Sequence, residues 1–129
     1  MRIEHVAIWT RQLSQLKEFY ETHFRAIASS KYLNPATGFE SYFLSFSTGA
    51  RLELMRSPTV ADLPGDSDVQ PAGYAHLAFS VGSKEQVDRL TDQLRAAGYR
   101  VASGPRVTGD GYYESVVLDP DGNRVEITI

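Results

Sequence analysis

One short pattern occurs twice in this chain, and a repeat restricts the possible folds more than composition does. Glu4-His5-Val6-Ala7-Ile8 near the start is echoed by Ala75-His76-Leu77-Ala78-Phe79. Arg51-Leu52-Glu53-Leu54-Met55 is echoed by Arg124-Val125-Glu126-Ile127-Thr128. The two histidines stand 71 positions apart and the two glutamates 73. Two copies of one supersecondary unit, related by a pseudo-twofold, explain this spacing more simply than coincidence does.

The segments between these landmarks repeat as well. Residues 3–9 alternate apolar and polar, which predicts a strand with Val6 and Ile8 on its buried side. Thr10 is the expected N-cap of a helix whose stripe is Leu13, Leu16, Phe19, Tyr20 and Phe24. Strands are expected over 28–33, 40–46 and 51–55. Residues 58–73 hold three prolines, two glycines and three aspartates without periodicity, and read as a linker. A strand over 74–81 follows. Ser83-Lys84-Glu85-Gln86 then gives a capping box for a helix carrying Val87, Leu90 and Leu94 and stopping at Gly98. Strands over 99–103, 112–118 and 123–129 complete the chain, with Asp119-Pro120-Asp121-Gly122 as the turn between the last two. The predicted fold is α+β: two βαβββ modules, 1–57 and 74–129, joined by the linker 58–73 and forming a curved mixed sheet around a cleft.

Strand parity then assigns faces. In all four landmark strands the aliphatic neighbours alternate with the His or Glu, so His5, Glu53, His76 and Glu126 point away from the helices. Taken singly, a strand histidine is more often a hydrogen-bonded structural residue, and a glutamate between two leucines the wet side of a half-buried strand. Together they recur by type and place in each copy. If the half-sheets curve toward each other, two imidazoles and two carboxylates meet. Two carboxylates in a cleft repel and lose hydration at several kcal/mol per buried ion, a cost that a divalent cation offsets. Mixed nitrogen and oxygen ligands suit Zn, Ni, Co, Mn or Fe(II), with room left for water or substrate oxygens.

Composition removes other classes. The 129 residues allow one ordinary domain, and 42% hydrophobic content supplies a core without staples. With no cysteine there is no disulfide framework, thiolate zinc site or cysteine nucleophile. A formal charge of -3 argues against nucleic acid or an anionic membrane as partner. No apolar run reaches the roughly 20 residues of a membrane span, and the first residues do not read as a signal peptide. A soluble, cytoplasmic protein is expected.

With these residues in view, the chain resembles the vicinal oxygen chelate superfamily of glyoxalase I, methylmalonyl-CoA epimerase, extradiol dioxygenases, fosfomycin-resistance transferases and bleomycin-resistance proteins. The most specific stretches are Tyr74-Ala75-His76-Leu77-Ala78-Phe79 and Asp119-Pro120-Asp121-Gly122-Asn123-Arg124-Val125-Glu126. The resemblance implies a divalent metal held by His5, Glu53, His76 and Glu126. It also implies a homodimer, with the metal either within one chain or shared by swapped modules. Dioxygenases and fosfomycin enzymes leave the position of Glu53 unfilled, whereas glyoxalase I and the epimerase use all four. The resemblance therefore implies a lyase or isomerase working through an enediolate, with Glu126, and Glu53 with it, as catalytic base. Glyoxalase I carries an arginine that grips glutathione four residues after the first ligand, where this chain has Trp9. Ser57 stands where that family has an asparagine, so glutathione use is not expected. The alternatives are a metal-free ligand-sequestering protein of the bleomycin-resistance type and an extradiol-type dioxygenase.

Other residues could line such a cleft and contact a small-molecule substrate. Arg51, Met55, Arg124 and Thr128 share parity with the glutamates; a solvated strand residue or salt-bridge partner has the same pattern. Trp9 would form an apolar wall or simply pack. Tyr112 and Tyr113 follow Gly109-Asp110-Gly111, a lid or a plain hairpin end. His23 reads as a helix-face residue.

Overall fold

The computed structural model describes residues 1–61 and 72–129, so most of the expected linker 58–73 lies outside the described residues. The chain divides into two compact units, Met1–Gly65 and Asp66–Ile129. Among the described residues no helix is long and apolar enough to cross a membrane.

The first unit runs β1 (His5–Trp9), α1 (Leu13–Phe24), β2 (Ile27–Ala28), β3 (Tyr32–Asn34), β4 (Phe39–Ser45) and β5 (Arg51–Arg56). Its sheet has the order β1-β5-β4-β2, with β3 also on β4. The β1–β5 pairing is parallel and the rest antiparallel. A parallel pair needs a crossover, and α1 supplies it. Leu13, Leu16, Phe19 and Tyr20 bury the helix stripe, and Leu44, Leu52 and Leu54 form the sheet side of the core.

The second unit runs β6 (Leu77–Ser80), α2 (Lys84–Ala96), β7 (Val101–Val107), β8 (Tyr113–Leu118) and β9 (Arg124–Thr128). Its order β6-β9-β8-β7 follows the path β1-β5-β4-β2 of the first sheet, with one strand where the first has both β2 and β3 on β4. Val87 and Leu94 from α2 meet Val117, Val125 and Ile127 at full burial. Thr91, buried with them, donates its hydroxyl to Val87 O at 2.6 Å and shares a hydrogen bond with Ser115 Oγ, also 2.6 Å. The core thus contains no orphaned hydroxyl there.

The expected α+β class and the two mixed half-sheets are present, and several local expectations are corrected. Thr10 is not the N-cap of α1; Gln12 is, with no side-chain cap bond. The Thr10 N–H instead donates to Met55 O at 2.8 Å, which keeps it in the β1–β5 ladder, and its Oγ1 accepts from Gln12 N. The single strand expected over 28–33 is two pieces. Ser29 N–H still donates to Phe43 O at 2.8 Å, but the N–H of Phe43 goes to Ser29 Oγ at 3.0 Å, a side-chain bond that competes with the backbone ladder where the strand breaks. The strand expected over 99–103 begins at Val101 and continues through Gly104 and Pro105 to Val107, with two register shifts. Proline is tolerated because β7 is an edge strand. The strand expected from 74 begins only at Leu77, so His76 immediately precedes β6.

The Ser83 cap is found as expected, its Oγ accepting from Gln86 N at 3.3 Å. So is the turn before β9: Asp119 Oδ1 accepts from Asp121 N and Asn123 N at 3.0 and 2.9 Å.

Candidate functional site

Each unit presents a histidine and a glutamate on the sheet face that its helix does not cover. In β5 the buried Leu52 and Leu54 flank Glu53, and in β9 the buried Val125 and Ile127 flank Glu126. Alternation leaves both carboxylates on the outer face.

The registers show why a histidine meets a glutamate in each unit. Glu53 lies opposite Ala7, and Glu126 opposite Ala78. The histidine stands two residues before the alanine in both cases. Its ring therefore approaches the glutamate diagonally, over a methyl group too small to block it. His5 Nε2 lies 3.9 Å from Glu53 Oε2, and His76 Nε2 lies 3.3 Å from Glu126 Oε2. Both histidine side chains are exposed, whereas Glu53 and Glu126 are only 14% and 16% exposed.

The two pairs are supported differently. His5 Nδ1 is 2.5 Å from Glu4 Oε2. Arg51 donates to Glu4 Oε1 through Nε at 2.8 Å and through Nη2. Its guanidinium stacks 4.1 Å from the centroid of Phe43, whose ring meets His5 edge-on at 5.4 Å. The proton donated by His5 Nδ1 and the contact with Arg51 hold the Glu4 carboxyl below its usual range. An imidazole whose Nδ1 is fixed by a carboxylate keeps Nε2 aimed outward, the arrangement that orients histidine ligands of metals.

In the second unit the neighbour of Glu126 is an acid. Glu114 lies opposite Thr128 and Val116 opposite Glu126, so Glu114 and Glu126 share a face on adjacent strands. Burial, then the Glu114 carboxylate, pushes the Glu126 carboxyl above its usual range, against the opposing effect of His76. Arg106 Nη2 stands 3.8 Å from Glu114 Oε1.

Sequence reasoning missed Glu4, Phe43 and Glu114. Parity along 112–118 puts Glu114 on the face of Tyr112 and Val116, and only the β8–β9 register brings it beside Glu126. Glu4 precedes β1, so alternation says nothing about it.

The other expected lining residues are distributed as follows. Arg51 is engaged by Glu4. Met55 is half-buried opposite Trp9, and Trp9 is 52% exposed. Arg124 is half-buried opposite Leu118. Tyr112 is exposed, its N–H held by Thr108 Oγ1 at 2.9 Å. The Tyr113 hydroxyl is turned to Asp88 of α2 at 2.6 Å. His23 packs on Phe19 in α1, and burial lowers its pKa. Among the described residues, no three His, Cys, Asp or Glu side chains stand together as a group able to hold a metal. Each unit offers a pair. The donor chemistry of both pairs, neutral imidazole nitrogen with carboxylate oxygen, fits a borderline divalent ion.

Residues 2–127 match the family model described as the Glyoxalase/Bleomycin resistance protein/Dioxygenase superfamily. A 58-residue stretch is 47% identical to the uncharacterized protein YqjT of Bacillus subtilis, covering 43% of this chain and 45% of that protein. The chain thus aligns with less than half the length of that curated relative. Among solved structures, a glyoxylase/bleomycin resistance protein/dioxygenase domain from Frankia sp. EAN1pec superposes with a TM-score of 0.81 at 19% identity. That match covers 100% of this chain and 97% of the other. The trypanothione-dependent glyoxalase I of Leishmania major gives 0.78 at 22% identity, over 99% and 86%.

Proposed function

The chain belongs to the Glyoxalase/Bleomycin resistance protein/Dioxygenase superfamily, and from that premise we propose that it is a metal-dependent lyase or isomerase. It moves a proton on a small substrate with adjacent oxygens. One observation carries the reading: both units hold a histidine Nε2 beside a glutamate, with the same register, Ala7 opposite Glu53 and Ala78 opposite Glu126. Structural packing alone does not require the same outward-facing pair twice.

In this reading His5, Glu53, His76 and Glu126 together hold one divalent cation, Zn, Ni, Co, Mn or Fe(II). When bound, such an ion supplies Lewis acidity toward the substrate's oxygens and so acidifies the neighbouring C–H. Glu126 is the base that takes that proton and returns it to an adjacent atom, with Glu53 as its counterpart in the first unit. Glu4 and Arg51 keep the His5 ring in place. The likeness of the fold to a glyoxalase I supports a lyase more than a dioxygenase. A homodimer completes the proposal, since each unit ends in edge strands that another sheet can cover.

The test is metal analysis of chelator-treated protein reloaded with each ion, alongside a substrate panel of hemithioacetals, acyl-CoA epimers and catechols. Stoichiometric metal is expected, lost in His76→Ala. Glu126→Gln should keep the fold and lower turnover by 10²-fold or more, an order of magnitude typical for a general base. Absence of stoichiometric metal with every ion would refute the proposal. Sedimentation of the same samples reads the dimer.

A further inference from the structure

The outer face of the first sheet also carries an aromatic cluster for which the core has no use. Trp9 of β1 faces Met55, Met55 faces Ser41, and Ser41 faces Tyr32, a single row across four strands. Phe39, two residues before Ser41 on the same face, closes the row from above. The ring of Phe39 meets Trp9 at 87° with centroids 6.1 Å apart, and Tyr32 at 58° and 6.0 Å. Trp9 and Tyr32 remain 52% and 55% exposed. Two rings at a right angle form a corner that accepts a flat third ring, stacked on one and edge-on to the other.

Position and charge narrow the occupant. Trp9 shares its face with His5, and it stands one pleat repeat, about 7 Å, beyond the residue opposite Glu53. The two arginines of β5 and Lys31 are already engaged. Arg51 is held by Glu4, and Lys31 and Arg56 are both held by Glu40. The corner therefore has stacking surface and no available positive charge from these three, and the Glu53 carboxylate lies on the same face two residues along β5 from Met55. This selects an uncharged planar group and disfavours an anionic one.

We propose that Trp9, Phe39 and Tyr32 form the subsite for a neutral aryl group attached directly to the oxygen-bearing carbons of the substrate. The substrate class is then an aryl compound with vicinal oxygens. The inference rests on the metal-dependent reading for the position of those oxygens, while the ring subsite itself needs no metal.

Trp9 is the only tryptophan in the chain, so its emission reports on this corner alone. Metal-free full-length protein is titrated with 2-hydroxyacetophenone and, separately, with cyclohexyl hydroxymethyl ketone, which keeps the oxygens and lacks the flat ring. A saturable emission change is expected with the aryl ketone, at least tenfold weaker with the cyclohexyl ketone. Phe39→Leu should weaken the aryl ketone roughly tenfold. Tyr32→Leu, at a more exposed position, should weaken it less and provides a second variant should Phe39→Leu fail to fold. Equal response to both ketones, no saturable response, or an emission that follows protein concentration instead of ligand would overturn the proposal, the last by assigning the rings to a second copy of the chain. Metal stoichiometry measured on the same preparation separates the two ideas. Aryl binding without metal removes the lyase reading and keeps the subsite; metal without aryl binding does the reverse.

Discussion

Ala7 and Ala78 decide more than their size suggests. Each lies opposite a glutamate and two residues along from a histidine, so a larger side chain there would fill the space over which the two meet. Ala78→Leu is expected to leave the sheet intact, because the outer face has room, and to weaken divalent-metal binding by about 10- to 100-fold, the usual effect of disturbing groups that orient ligands. Isothermal titration with Zn or Ni, beside a far-ultraviolet spectrum, checks both halves of that statement. A second residue carries a pH signature. Burial lowers the pKa of His23 from its ordinary 6.5, so the fold prefers the neutral ring. Its contribution to stability is present above pH 6.5 and is lost as pH falls through the lowered value. Glu4, Glu40 and Glu85, all depressed from 4.5, lose theirs at lower pH, while Glu126, raised, works in the opposite sense. His23→Gln should therefore remove part of the stability loss just below pH 6.5, read as a smaller drop in the urea midpoint between pH 7 and 5.5. At this scale the sequence told which face a residue occupies wherever a strand was regular. It failed at Glu4, outside the strand, and at Glu114, whose neighbour depends on a register.

Among the elements, β7 and β8 are held unusually close. Gly104 has φ +78, and a Cβ there would stand 2.5 Å from Glu114 O and 3.0 Å from Ser115 Cα, both backbone atoms. Neither the left-handed conformation nor the contact can be relieved by a side-chain rotation. Gly104→Ala is expected to cost about 3 kcal/mol by denaturant unfolding. The displaced strand would also carry Glu114 away from Glu126. Turn and cap chemistry made α2 and the Asp119 turn readable in advance, since Ser83 and Asp119 act through local hydrogen bonds. The break after Ala28 was not readable. There a serine hydroxyl captures an N–H of another strand, a contact between residues 14 apart. The extension of β7 through Pro105 was hidden for a related reason, because only the sheet order shows that this strand lies at an edge.

For the whole molecule, duplication was the legible property. Spacing alone predicted two equivalent modules, and both sheets follow the same main strand path and have the same His-to-Glu diagonal. Divergence between the copies was not legible, because it resides in cross-strand neighbours. Glu53 lies opposite Phe43, whereas Glu126 lies opposite Val116 with the Glu114 carboxylate on the same face. That inequality has a consequence under the proposed function. Glu53 has an aromatic residue across from it and Glu126 a second acid beside it, so repetition of the fold does not make the two glutamates interchangeable as bases.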